Sequence, residues 1–150
     1  MSTDRRELIL ARLVTVGQSL PGPQKVYRNR SQLSAALRPA IVILDSDEAG
    51  ALGDFALGRP LSSPGIMRMS PEICLMVAGS AETIGSALNG MRLPMILAVL
   101  SDDELSALVG TTGGVQYQGC STDIGRGREM EGEMILTFEI HYVLKPVEMS

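Results

Sequence analysis

The chain has no tryptophan, two phenylalanines and three tyrosines, so its core must be built mostly from Leu, Ile, Val, Met and Ala. Histidine is limited to His141, lysine to Lys25 and Lys145, and cysteine to Cys74 and Cys120. With a single imidazole, a zinc centre would have to gather Cys and carboxylate ligands from scattered positions. The same shortage leaves few bases to activate a Ser or Cys nucleophile. The two cysteines match no metal or redox spacing, and Cys74 sits in an apolar run, where a thiol acts as a small hydrophobe. No apolar run approaches the roughly 20 residues that span a bilayer. The start, Met1-Ser2-Thr3-Asp4-Arg5-Arg6, carries no signal-peptide cleavage pattern. A soluble protein made in a reducing cytoplasm is expected. A net charge of −4 argues against a surface that grips nucleic acid throughout, which needs a dense basic footprint.

At 150 residues the chain fits one domain, 1–150, able to bury about two-thirds of its unfolded surface without staples. Its 45% apolar and 20% charged residues are the proportions of an ordinary packed fold. Nine methionines suit an adaptable core or contact surface, because thioethers fill irregular gaps. Among the 13 basic residues, all but Lys25 and Lys145 are Arg. Arg is favoured where planar, multi-donor contacts to carboxylates are wanted, as at subunit interfaces, although codon bias produces the same excess.

Asp4 and Glu7 form a capping-box-like start to a helix over 4–16, with Leu8, Leu13 and Val16 at helical spacing. Gly17 and Pro21-Gly22-Pro23 end it. Residues 25–29 suggest a short strand, and 31–37 a helical turn. Residues 40–45 read as a strand buried on both faces, since Ile41-Val42-Ile43-Leu44 shows no polar alternation. The stretch 46–70 is rich in Gly and Pro and reads as a long irregular arm. Its Leu52, Phe55, Leu57, Ile66, Met67 and Met69 are too apolar for a solvated linker, so it is expected to order against a partner. Residues 71–78 alternate as a strand, with Ile73, Leu75 and Val77 opposite Cys74, Met76 and Ala78. A long helix over 81–100 places Ile84, Leu88, Met91, Met95 and Val99 on one face, and Pro94 is expected to kink it. Ser101 with Glu104 makes a capping box for a short helix ending at Gly110. Strands follow at 115–120 and 132–144, the second with Met134, Leu136, Phe138, Ile140, Tyr142 and Leu144 on one face. They read as an antiparallel pair joined by a polar turn, 121–131, too long for a tight hairpin. The expected class is α/β (α+β): one mixed sheet of about 4–5 strands with two main helices packed on it and a long extended loop.

Three patterns invite a chemical reading. Gly110-Thr111-Thr112-Gly113-Gly114 lacks the Gly-Lys-Ser/Thr that completes a P-loop, and Gly125-Arg126-Gly127 lacks a third glycine in register; both read as turns. Asp45, Asp47, Glu48 and Asp54 cluster in sequence as a metal-dependent nuclease site would, but neither Lys25 nor Lys145 stands near them in the right strand context. A solvated loop explains them, with a weak divalent-ion site used in assembly as the alternative. His141, between Thr137 and Glu139 on one strand face, reads as a solvent-facing or interface residue. The segment 123–133 alternates charge, as a solvated turn with weak pairs or as an inter-subunit seam in which opposite charges set register.

Several stretches carry a resemblance: Val26-Tyr27-Arg28-Asn29-Arg30, Pro39 to Asp45, Met69-Ser70-Pro71-Glu72-Ile73, Ala87-Leu88-Asn89 and Ala107-Leu108-Val109-Gly110. To these are added Tyr117-Gln118-Gly119-Cys120, Met130-Glu131-Gly132-Glu133-Met134, Phe138 and Tyr142-Val143-Leu144. With the order of elements they cover most of the chain, and it resembles the tail terminator (tail completion) proteins of long-tailed bacteriophages. The positions are diffuse and hold no catalytic signature. The resemblance implies helices packed on one mixed sheet and a hexameric ring that caps the finished tail tube, stops its growth and meets the head–tail connector. DNA would pass through the lumen without specific binding, and the protein would belong to the virion, at the head-proximal end of the tail, after assembly in the host cytoplasm. It implies no enzyme activity, no cofactor, no metal and no membrane. The expected subunit or tube contacts are Arg126, Arg128, Glu129 and Glu131 from the charged turn and Asp54, Phe55 and Arg59 from the arm. A head-completion protein shares these bulk traits. A nucleic-acid enzyme using Asp45, Asp47 and Glu48 with a divalent metal is the rival from another class.

Overall fold

The computed structural model of the chain describes residues 4–30, 33–51, 53–125 and 130–149. Helix α1 spans Arg5–Gln18 and is followed by strands β1 (Lys25–Arg28), β2 (Ala40–Leu44), β3 (Glu48–Gly50), β4 (Gly65–Met69) and β5 (Glu72–Gly79). Helices α2 (Ala81–Leu100) and α3 (Asp103–Val109) come next, then β6 (Gly114–Ile124) and β7 (Met130–Leu144). Short 3-10 turns occupy Ala35–Leu37 and Pro146–Met149. The fold is α+β with a mixed sheet, as expected in class, but seven strands form among the described residues.

The larger number has a simple origin. Strand β7 pairs along one edge with β6 and along the other with β5 and then β4, all antiparallel. The β4 and β5 pairings share one register: Met69 faces Ile140 and Glu72 faces Thr137. The Phe138 N–H donates to the Pro71 carbonyl in the gap (3.2 Å). Strands β4 and β5 are thus one row interrupted at Ser70-Pro71, where Pro71 has no N–H to give a ladder. Strands β3 and β2 line up on that row in the same end-to-end way, joined across the break by Ser70 N–H to Asp47 O (3.0 Å). Strand β1 adds parallel to β2. Seven strands therefore make five rows.

This arrangement corrects the reading of 46–70 as one irregular arm. Its two ends are β3 and β4, drawn into the sheet because the second half of β7 would otherwise expose unpaired backbone groups. Among the described residues of this stretch, 46–47, 51, 53–64 and 70 remain outside strands. The 121–131 turn shrinks as well: β6 runs on to Ile124, β7 starts at Met130, and Gly125 N–H donates to Glu131 O (2.8 Å). Polar Ser121, Thr122 and Asp123 continue the ladder because their backbone still has β7 to pair with, while their side chains stay exposed. A bulge at Gln118, with Gly119 at φ +146°, shifts the register midway.

The helix ends also differ from expectation in detail. Asp4 caps α1 by accepting from Arg6 N–H (2.9 Å), but Glu7 turns away to Arg28, so no reciprocal box forms. Ser101 ends α2, its hydroxyl returning to Leu97 O (2.6 Å), and Asp102 is the residue that caps α3, accepting from Leu105 N–H (2.9 Å). Helix α2 continues as helix through Pro94.

All three helices pack on one face of the sheet. There Ile41, Ile43, Ile73, Leu75, Leu136, Phe138 and Ile140 meet Ile9, Leu13, Ile84, Leu88 and Met95, all fully or almost fully buried. A Cβ on Gly132 would collide with Ile84 and Leu88, so glycine there lets α2 approach β7. On the opposite face a smaller cluster forms where Leu33 covers Ala40, Val42, Cys74 and Met76. Strand β2 is thereby buried on both sides, as its unbroken apolar run requires.

The segment that carries Leu33 is fixed by Arg38, whose side chain is 3% exposed. Its guanidinium donates to the carbonyls of Leu33, Val77 and Gly132 (3.2 Å each) and to Glu133 (3.1 Å), with Glu131 at 3.4 Å. It ties the covering segment to β5 and β7 at once. Replacing it by Met keeps much of the volume but leaves buried carbonyls unpaired. Arg38→Met is expected to lower stability by about 2–4 kcal/mol, read as a fall in the urea midpoint with an unchanged m-value.

Candidate functional site

The expectation that Arg residues supply subunit contacts meets a different use of charge. Every arginine among the described residues is engaged within the fold. Arg12 grips Asp102 with two bonds (2.7 and 2.8 Å), fastening α1 to the cap of α3. Arg28 binds both Asp45 (2.8 and 2.9 Å) and Glu7 (2.7 and 3.0 Å), joining β1, the end of β2 and α1. Arg5 donates to Leu108 O (2.9 Å), Arg6 to Ser46 O (2.8 Å) and Arg92 to the Tyr117 hydroxyl (3.4 Å). Arg30 lies over the Tyr27 ring, 4.9 Å from its centre. Planar forks suit such two-point contacts, which accounts for the preference over Lys without recourse to a neighbour.

The four clustered carboxylates separate accordingly. Asp45 belongs to Arg28, Glu48 accepts from the Tyr142 hydroxyl (2.8 Å), and Asp54 accepts from Arg59 (2.8 Å) and Ile66 N–H (3.1 Å). Asp47 is exposed. Among the described residues no three His, Cys, Asp or Glu side chains converge as metal ligands would. His141 lies on the helix-free face, with Nε2 2.8 Å from Glu139 and 3.2 Å from Arg68 Nε. Glu139 also receives Arg68 (2.9 Å) and Gln118. The cluster borders an open hollow of about 360 Å³ lined by Ala49, Gly50, Ile66 and Thr112.

Of the contacts expected from sequence, Arg126, Arg128 and Glu129 lie outside the described residues. Glu131 lies 3.4 Å from Arg38, and its side chain is still 43% exposed. In the arm, Arg59 donates to Asp54 (2.8 Å), Gly53 O and Pro64 O (3.2 Å each), closing 53–64 on itself. Phe55, at φ +100°, lays its ring over Gly50 and Gly65, where a Cβ would meet it. These three residues shape the arm; Phe55 remains 42% exposed, and the most exposed large apolar side chains there are Leu57 (107%) and Leu61 (68%).

A second apolar surface went unread in the sequence. On α2, Leu93, Leu97 and Leu100 are about half exposed, at intervals of four and three residues. The signal was available: α2 holds more large apolar residues than one buried face needs, and only Glu82 and Arg92 are charged. Surface helices ordinarily put charge on that side.

Two tests follow from this geometry. Arg28 holds the Glu7 and Asp45 carboxylates below their ordinary values of 4.5 and 3.8, chiefly by hydrogen bonding. Groups lowered in this way stabilise fully above those values and lose the contribution as pH falls through the lowered ones. Stability measured by denaturant should therefore drop as pH falls below about 4, and Arg28→Gln should flatten that acid limb. Burial pushes the Cys74 thiol up to about 12, whereas Cys120 is exposed. A colorimetric thiol reagent should titrate one cysteine at once in the native protein and the second only after unfolding.

The chain matches no protein-family model, and no curated protein matches it.

Proposed function

We propose that the chain is a non-enzymatic structural protein of a tailed bacteriophage that caps the tail tube as a ring, stops its elongation and joins the tail to the head. The observation that carries this reading is the pairing of internal charge with external apolar surface. Arginines and carboxylates are spent on holding elements together, while Leu57, Leu61, Leu93, Leu97 and Leu100 stay in water on two separate parts of the surface. Exposed apolar patches of that kind mark interaction sites more than catalytic ones. The single sheet with helices on one face agrees with what the tail-terminator resemblance implies. The acidic balance suits a ring through which DNA passes without being held. The tube protein and the head–tail connector are the partners in this reading, and no cofactor is needed.

Deleting this gene from a phage that carries it, followed by electron microscopy of lysates, tests the proposal. Overlong tail tubes detached from filled heads are expected. Tails of normal length beside unattached heads would move the protein to a head-completion role. Intact virions would remove it from the head–tail joint altogether.

A further inference from the structure

We propose that the sheet face over β4 and the end of β7 is a docking site for an extended acidic peptide of another protein, which lays an acid, an apolar residue and a second acid on alternate positions along it. The proposal goes beyond the tail-joint reading and does not rest on it.

Two hollows meet on this face. The 360 Å³ hollow beside His141 shares Ile66 and Thr112 with a larger one of about 690 Å³, which runs on between Arg5, Pro64, Leu108 and Lys145. Their common floor follows strand register: Arg68 stands opposite His141, and Ile66, half exposed, stands opposite Val143. His141 and Val143 share one face of β7 because side chains alternate along a strand. Lys145, just past the strand end, lines the same hollow as Val143. The floor thus reads basic, apolar, basic.

The charge here runs against that of the chain. The protein carries −4 overall, yet Arg5, Arg68 and Lys145 line the two hollows against a single acid, Asp54. That acid is already held by Arg59 (2.8 Å) and Ile66 N–H (3.1 Å). Glu139 takes the Nε of Arg68 (2.9 Å), but the Arg68 side chain stays 64% exposed. One guanidinium can serve two carboxylates, as Arg28 does with Glu7 and Asp45 in this same fold. Arg5 points to a ligand more directly. Its Nη1 donates to Leu108 O (2.9 Å), while its Nε is shielded from water and meets no acceptor among the described residues. A buried donor of that kind costs stability until an acceptor is brought to it.

An extended chain repeats its side-chain direction every second residue, so three like-facing residues span roughly 13 Å. By the same rise, His141 and Lys145 lie roughly 13 Å apart along the floor. A peptide of the order acid–x–apolar–x–acid therefore sets one carboxylate on Arg68, its apolar side chain on Ile66 and Val143, and the other carboxylate on Arg5. Nucleic acid fits the face less well: single strands bind by stacking bases on aromatic rings, and no Phe, Tyr or Trp lines either hollow.

The test is fluorescence anisotropy of a labelled, C-terminally amidated peptide, Gly-Gly-Glu-Thr-Val-Thr-Glu, titrated with the full chain at about physiological salt. Saturable binding with a Kd below about 1 mM is expected. It should be lost when both Glu are replaced by Gln, and weakened in Gly-Gly-Thr-Glu-Val-Glu-Thr, whose acids face away from the Val. Arg5→Gln and Arg68→Gln should each weaken binding about tenfold, the least that a charge-assisted hydrogen bond is worth. Ile66→Glu, at an exposed strand position, should abolish it. Circular dichroism checks the fold of each variant. Arg30→Gln, beyond β1 at the other edge of the sheet, removes the same charge and should bind as the wild type does. Absence of saturable binding, equal binding of the Gln or the reordered peptide, or an affinity indifferent to Arg68→Gln and Ile66→Glu would each overturn the proposal. Displacement of the peptide by an oligo-dT strand at lower concentration than by unlabelled peptide would overturn it in favour of a nucleic-acid site.

Discussion

The double pairing of β7 is the constraint on which the other elements depend. A strand bonded along both edges, with every second side chain in a core, has no freedom to slip: a shift of one residue would turn Leu136, Phe138 and Ile140 toward water. Its length sets the length of the sheet. Because it outlasts β5, the chain must supply β4 to finish the ladder, and the row beyond must supply β3. The helices inherit their positions from the same strand. Gly132 marks where α2 comes closest, and a Cβ at Gly113 would strike the carbonyls of Val109 and His141, so the end of α3 is fitted to the second half of β7.

Charge supplements this frame at places where hydrophobic contact is thin. Arg12, Arg28 and Arg38 each bridge elements distant in sequence, and each sits where a loop or terminus meets the packed layers. Guanidinium groups at such joints satisfy carbonyls and carboxylates that would be costly to leave unpaired. The burial of Tyr142 against Glu48, which raises the phenol above its ordinary pKa, belongs to the same pattern. With so little aromatic volume, the protein relies on aliphatic packing for bulk and on arginine for the seams.

Much of this was legible from local pattern. The alternation along β7 and β5, the double-sided burial of β2 and the bounds of α2 follow from side-chain periodicity, which acts within a few residues. What escaped depends on partners far along the chain. Strands of three and five residues bounded by Gly and Pro look like loop until the unfilled edge of β7 is known. The pairing of Arg38 with Gly132 and Glu133 crosses more than ninety residues. Asp54, Phe55 and Arg59 were expected as contacts from the arm; Asp54 and Arg59 bind each other, and the Phe55 ring lies over glycines while staying 42% exposed. Leu57 was counted in the arm's apolar content but not among its contacts, and Leu61, also exposed, drew no notice. On α2 a reading that sought one buried stripe had no reason to ask what the remaining leucines were for.

Strand β6 brings one more consequence. Its outer edge, eleven residues long, has no strand beside it among the described residues. A flat edge of that length is a template on which unrelated or partly unfolded chains can add strands, the usual beginning of insoluble aggregates. The bulge at Gln118 and Gly119 breaks the flatness midway, twisting the edge so that no long run of donors and acceptors lies in one plane. A protein with exposed leucines needs such a safeguard: it keeps association confined to side-chain surfaces, where partners can be selected, and away from backbone, which accepts any chain.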